Sequence, residues 1–231
     1  LRTAFIAVAS GLFDIVVASG VEKMSNLPTE KVTDTLAAAS DALYEAVCGF
    51  TFPGLYAAIA TAYMAKYGAT PEDFMRVGIK NHKNGALNPK AQFNKSIKDL
   101  MNSRIEKAKQ KGEPTPTWHD ELEFLKDPAA NPVVAWPMRL FDCSPITDGA
   151  ACLLLVAEDL AKDFSNAPLH IIGSGHATDH ALPEREDMTT ISAARVAAKQ
   201  AYDMAGVTPK DIQIAEVHDC FTIAELVAIE D

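Results

Sequence analysis

The chain has 231 residues, 48% of them hydrophobic, and a formal charge of −10. That length and apolar content suffice for one large domain or two small ones with a real core, and the acidic balance argues against a chain that binds nucleic acid as a whole. Cys48, Cys143, Cys152 and Cys220 form no C-x-x-C pair and no metal-ligand spacing, so no metal is expected. With no signal peptide and no apolar run near about 18 residues, a reducing cytoplasm is the simplest setting, with no membrane role.

Leu1, Phe5 and Val8 share a helical face, and Gly11 is a C-terminal stop. This first helix has no initiator Met and no preceding N-cap, so the chain is expected to begin inside it. Residues 13–19 read as a buried strand closed by Gly20. From 26 to 138 the character changes to polar loops, prolines and amphipathic helices. Leu55, Ile59, Ala62, Tyr63 and Lys66 sit at helical spacing ahead of Gly68. Residues 80–89 combine Asn, Gly and Pro in a way that predicts a fixed loop rather than a helix face. Lysines 95–111 instead read as a solvated helix, because Lys107, Lys109 and Lys111 share no face. Residues 80–111 carry nine basic side chains against Asp99 and Glu106, a positive island in an acidic chain. An anionic, phosphate-bearing ligand would require such an island. His119, beside Trp118 in a Pro-rich loop, is expected at the surface.

Strand-like sequence returns at 151–157 and 169–173. His176 follows at a strand end and is expected to be structural or solvent-facing. A helix after Thr189 or Thr190 places Ile191, Ala194, Ala198, Ala201, Tyr202 and Ala205 on one face, ended by Gly206 and Pro209. Alternation of strands and helices on both sides of the 26–138 stretch predicts a layered α/β architecture.

The run 212–217 alternates as a short strand and leads into His218-Asp219-Cys220-Phe221, after which 222–228 read as a helix. An imidazole and a thiol then stand between a strand's C-terminal end and a helix N-terminus, where open α/β sheets bind ligands. That setting can lower a thiol's pKa and make it a usable acid, base or nucleophile. The alternative is one exposed histidine and one buried cysteine that are merely close in sequence. The last helix runs into Ile229-Glu230-Asp231 with no stop signal. Both ends are therefore expected to be cut, with the sequence an internal segment of a longer protein.

Four motifs in order carry a family resemblance: Gly20-Val-Glu-Lys-Met-Ser25, Lys80-Asn-His-Lys-Asn-Gly-Ala-Leu-Asn-Pro-Lys-Ala-Gln-Phe93, Asp142-Cys-Ser-Pro-Ile-Thr-Asp-Gly-Ala-Ala151 and His218-Asp-Cys-Phe221. Together they resemble the thiolase family, in its sterol-carrier-protein-type and archaeal acetyl-CoA acetyltransferase branch. His-Asp-Cys-Phe followed by Thr-Ile-Ala-Glu separates that branch from thiolases with Asn-Glu-Ala-Phe there. The resemblance implies a duplicated βαβαβαββ fold, a layered α/β thiolase fold with mixed sheets and an inserted loop domain. On that map 1–25 and 139–166 are the N-terminal half, 26–138 the loop domain covering coenzyme A, and 167–231 the opening of the C-terminal half. It also implies truncation at both ends. The nucleophilic cysteine would lie upstream of Leu1 and the Gly-His-Pro histidine beyond Asp231, so the fragment alone would be inactive.

The resemblance further implies an acyltransferase that condenses two acetyl-CoA to acetoacetyl-CoA, or runs the reverse thiolysis, through an acyl-cysteine. Coenzyme A thioesters are the substrates and no separate cofactor is implied. His218 matches the oxyanion hole, a fixed donor worth about 2.7–4 kcal/mol. Cys220 matches the acid/base thiol, a proton shuttle worth roughly 10² to 10⁴ in rate. Ser144 matches a position meeting the pantetheine arm, the alternative being a local turn bond. His82 and Asn88 are expected to fix a loop near the active site, with substrate contact as the other reading, and Lys83 to sit near the coenzyme A charge. Cys143 and Cys152 are expected to be packing residues. Two alternatives stay open: a thiolase for longer or branched 3-ketoacyl-CoA, and a non-catalytic acyl-CoA-binding or scaffold subunit. Implied partners are a homodimer or homotetramer mate, a small OB-fold acyl-CoA-binding protein and a condensing enzyme, in lipid metabolism or isoprenoid-precursor supply.

Overall fold

A computed structural model describes residues 1–231. Its elements run α1 (Arg2–Ala9), β1 (Ile15–Glu22), α2 (Thr29–Ala37), α3 (Phe52–Tyr67), α4 (Pro71–Gly85), α5 (Ile97–Lys111), α6 (Glu121–Lys126), β2 (Val133–Ala135), β3 (Met138–Arg139), β4 (Gly149–Val156), α7 (Ala161–Phe164), α8 (Ser192–Ala205) and α9 (Thr222–Glu230). They group into two compact units.

The first unit comprises Leu1–Val32, Ile146–Thr178 and Ser192–Ala215. Its centre is the antiparallel pair β1–β4, in register from Ile15 opposite Val156 to Glu22 opposite Gly149. Both strands lie close to where their apolar runs predict them, displaced by one to three residues at their ends, and β1 continues through Gly20 instead of closing there. Asp148, just before β4, clamps the open end of the ladder. Its carboxylate accepts the backbone N–H groups of Met24 at 2.8 Å and Ser25 at 2.9 Å, the Ser25 hydroxyl at 2.5 Å and the Lys23 ammonium at 3.0 Å. One side chain thereby joins the Glu-Lys-Met-Ser and Asp-Gly-Ala-Ala motifs.

Two expected strands are absent, since neither 169–173 nor 212–217 joins a ladder. Alternation prepares a face, but a strand also needs a neighbour for its N–H and C=O groups. Gly173 and Gly175 instead run against α8, where any Cβ would collide with the carbonyl oxygens of Ala201 and Ala197. His176 is therefore not at a strand end. It is exposed, and its backbone N–H donates to Gln200 Oε1 at 3.0 Å.

The second unit comprises Thr33–Pro145, Asp179–Ile191 and Glu216–Asp231. α3 ends where predicted, at Gly68 with φ +73°, a conformation that favours glycine. α4 overturns the loop expected at 80–89, because it continues to Gly85 and carries Lys80, His82 and Lys83 on its last turns. The Thr70/Asp73 capping box and Pro71 start this helix, and Phe74, Met75, Val77 and Gly78 bury its inner face. Acidic residues in its first turn and basic ones in its last suit the helix dipole. Loop chemistry takes over only after Gly85, around Asn88 and Pro89. α5 is the solvated lysine helix expected, capped by Ser96 and Asp99, with Lys107, Lys109 and Lys111 exposed.

α9 packs against both α3 and α4. Phe221, Ile223 and Val227 are buried in a cluster with Ile59, Ala60, Tyr63 and Phe74. Each such side chain contributes roughly 1.5–3 kcal/mol by leaving water. Gly78 lets α4 approach the 140–142 turn, since a Cβ there would stand 3.2 Å from the Phe141 carbonyl oxygen. By compactness residues 216–231 fall with 33–145, while 192–215 fall with β1 and β4.

Candidate active site

The His-Asp-Cys-Phe segment is held from three sides, all within the second unit. Phe221 is the N-cap of α9, and its burial under α3 and α4 fixes the residue before it. Cys143 pairs with Phe221 in an antiparallel bridge, and the Ser144 N–H donates to the Cys220 carbonyl at 2.9 Å. Next to that bridge the Thr222 hydroxyl donates to buried Asp142 at 3.1 Å, and the Arg139 N–H donates to the same carboxylate at 2.9 Å. Burial pushes the Asp142 carboxyl above the usual range, with these two bonds opposing. Two motifs far apart in sequence thus lie side by side.

The third side is α4. Asn81 Nδ2 donates to Asp219 at 2.6 Å and to Glu225 at 3.0 Å, and Lys80 pairs with the same buried Glu225 at 2.5 Å. Lys80 is itself exposed, but its charge is paired with that carboxylate. Lys83 and Lys90 are exposed as well.

Cys220 is half-buried beneath Tyr56 of α3. The Tyr56 ring stacks on Phe221 with centroids 4.4 Å apart and an interplanar angle of 21°. The thiol's pKa is raised, not lowered as a histidine neighbour and helix N-terminus suggest. Burial is the largest cause, opposed by the Tyr56 hydroxyl and the Phe221 N–H and reinforced by Asp219. Cys220 is accordingly a protonated thiol at rest, suited to exchanging a proton with a carbon acid once a neighbour favours the thiolate. His218 is exposed, two residues upstream.

The other expected residues fall into distinct places. Ser144 is exposed and joined to Cys220 through its backbone. His82 is partly buried, edge-on to Phe141 at 5.6 Å, with Nδ1 facing the Lys95 carbonyl at 3.4 Å, and burial lowers its pKa. Asn88 accepts from the Lys90 N–H at 3.0 Å, while its carbonyl accepts from Asn94 at 2.7 Å. Both residues thus contact the segment that follows α4. Cys143 packs with its thiol against the Arg139 carbonyl, and burial pushes its pKa up to about 12. Cys152 is exposed on β4, against the expectation that it packs, because the two-stranded ladder leaves most of β4 uncovered. His119 is exposed, as expected.

Sequence reasoning missed Tyr56, Asn81 and Glu225. Tyr56 lies seven residues before Tyr63, on the same helical face, so the spacing could have marked it. Nothing in the sequence pairs Asn81 with Asp219. Tyr56 also lines a half-open cavity of about 480 Å³, together with Phe52, Leu55, Ile59, Leu182 and Arg185.

Comparison with known proteins identifies the family. The family model described as Thiolase, N-terminal domain matches residues 1–159, and the Thiolase C-terminal domain-like model matches residues 174–231. An acetyl-CoA acetyltransferase of Methanothermobacter thermautotrophicus is 40% identical over 234 residues, covering 100% of this chain and 53% of that protein. The benzoylsuccinyl-CoA thiolase subunit BbsB of Thauera aromatica is 31% identical, over 96% of this chain and 51% of its own. Among solved structures, the Ltp2-ChsH2(DUF35) aldolase superposes with TM-score 0.74 at 28% identity, covering 99% of this chain and 54% of that one. A monomeric SCP2-thiolase like protein type 1 from Mycobacterium smegmatis gives TM-score 0.66 at 20% identity, over 100% of this chain and 44% of its own, a likeness of fold. The chain spans about half the length of the curated relatives it matches.

Proposed function

Since this chain belongs to the thiolase family, we propose that the intact protein transfers acyl groups between coenzyme A thioesters, and that it condenses two acetyl-CoA to acetoacetyl-CoA through an acyl-cysteine. The observation carrying this reading is the placement of Cys220, a half-buried thiol beneath Tyr56 with its backbone bonded to Ser144. In the proposed step the Cys220 thiolate removes a proton from the methyl carbon of acetyl-CoA. His218 donates a hydrogen bond to the enolate oxygen, where a fixed donor is worth about 2.7–4 kcal/mol. The enolate carbon attacks the acyl-cysteine carbonyl, a C–C bond forms, and the departing cysteine thiolate takes up the proton held by Cys220. Ser144 lies where it can meet the pantetheine arm, and Lys83 and Lys90 supply positive potential for the nucleotide phosphates. The thioester substrates carry the activation themselves, so the reading needs no separate cofactor.

The identity to an archaeal acetyl-CoA acetyltransferase supports acetyl as the acyl group. The cavity beside Tyr56 supports a second reading, a thiolase for longer or branched 3-ketoacyl-CoA, because an acetyl group would leave most of about 480 Å³ unfilled. Thiolysis of acetoacetyl-CoA and of 3-ketoacyl-CoA esters of increasing length, compared as kcat/KM in the intact protein, separates the two. Highest values for acetoacetyl-CoA support the first reading, and a maximum at longer chains overturns it. The likeness to the Ltp2-ChsH2(DUF35) aldolase supports the search for a partner subunit. Self-association and a cytoplasmic setting complete the proposal.

A further inference from the structure

Asn81, on α4, reaches both sides of the junction between the His-Asp-Cys-Phe segment and α9. Its Nδ2 donates to Asp219 Oδ2 at 2.6 Å and to Glu225 Oε2 at 3.0 Å. A primary amide has two N–H donors, and here both go to carboxylates. Lys80, the preceding residue, takes the other Glu225 oxygen, Oε1. Glu225 is buried in the first turn of α9, so this end of the network is anchored in the fold. Asp219 is exposed and stands between His218 and Cys220 in the chain.

The contacts described so far hold the segment from Cys220 onward. Phe221 caps α9, and the Ser144 N–H bonds to the Cys220 carbonyl at 2.9 Å. Upstream, residues 216–218 are exposed and join no ladder. His218 therefore needs a tie of its own, since a misplacement of about 1 Å can cost on the order of a hundredfold in rate.

We propose that Asn81 is a positioning residue: it holds Asp219 and through it sets where the His218 imidazole stands relative to the Cys220 thiol. The proposal rests on the reading of these two side chains as oxyanion donor and proton shuttle. A hydrogen bond to a carboxylate is charge-assisted and roughly twice as strong as a neutral one, which suits a tie that must compete with water at exposed Asp219. The amide supplies that bond without adding a cation beside the thiol.

A double-mutant cycle in the intact protein tests this, with Asn81→Ala, Asp219→Ala and both together, and acetyl-CoA condensation followed as kcat and KM. Each single variant should lose about tenfold or more in kcat while the KM for acetyl-CoA holds. The double variant should stay within about twofold of Asp219→Ala, because two residues that act through one contact do not add. Asn81→Leu, similar in shape and without donors, supplies the test at this position if the alanine variant fails to fold. Lys80→Met separates positioning from simple anchoring of α9. It breaks the pair with Glu225 and leaves the bond to Asp219, so it should lower Tm with kcat nearly kept. Unchanged kcat in either single variant, losses that multiply in the double variant, or an equal kcat loss in Lys80→Met overturns the proposal. Retained turnover in Cys220→Ala would instead refute the shuttle reading, which keeps the two failures distinct.

Discussion

Ser144 donates its backbone N–H to the carbonyl of Cys220 at 2.9 Å, so the loop after Asp142 and the residue before α9 form one structural piece. A neighbouring side-chain bond, from Thr222 to buried Asp142, stabilises the same junction. Thr222→Val should lower stability by about 1–3 kcal/mol, the cost of leaving a buried acceptor short of its donor, while Thr222→Ser should stay near the parent. Chemical denaturation of the three proteins checks this. Equal stability for Val and Ser would show that the hydroxyl does not hold the junction.

In the first unit, Asp148 should govern acid stability. Its hydrogen bonds to Ser25, Met24 and Lys23 hold its carboxyl well below the usual carboxylate range. A depressed folded-state pKa gives stability that is present above the unfolded value, about 3.9, and lost as pH falls through the folded one. Asp148→Asn should therefore lower Tm at neutral pH, with the difference from the parent closing as pH falls below about 4. A gap that stays constant with pH would place the effect in shape rather than charge.

At His218 the expected result turns on a single donor. His218→Asn keeps an N–H that can reach an oxyanion and should retain part of the turnover. His218→Ala should lose about 10² to 10³ in kcat. Equal rates for the two variants would show that the hydrogen bond of this side chain is not what matters.

Coenzyme A carries its charge at the nucleotide end, so residues that attract it should alter binding more than chemistry. Reversing Lys83 and Lys90 to Glu should raise the KM for acetyl-CoA, with the effect shrinking at high ionic strength and kcat nearly kept. The same reversal at Lys107 and Lys109 should change little, since both lie on the solvated helix α5. Lys80 is left out of this pair because it is bound to Glu225. A larger salt-dependent effect from the α5 pair would put the coenzyme A-facing surface elsewhere.

Much of this arrangement was legible in the residues. Gly11, Gly68 and Gly206 mark helix ends because each adopts a positive φ there. His218, Cys220 and Ser144 stand out because their motifs fix residue type and spacing together. What the sequence hides is whatever depends on a distant partner. The alternation at 212–217 cannot show whether a strand runs beside it, and the Asn-Gly-Pro content of 80–89 conceals a helix fixed by Phe74, Met75 and Val77 before it. Tyr56 and Asn81 reach Cys220 and Asp219 only because α9 is buried against α3 and α4, a tertiary fact with no local signal.

The central claim is that Cys220 moves the proton that makes acetyl-CoA a nucleophile. It is tested most directly in the intact Cys220→Ala protein by measuring labelled acetyl-enzyme formation beside acetoacetyl-CoA turnover. The account predicts that acetyl-enzyme still forms while turnover drops by about 10² or more. Turnover within about threefold of the parent, below even weak general-base effects, would contradict it.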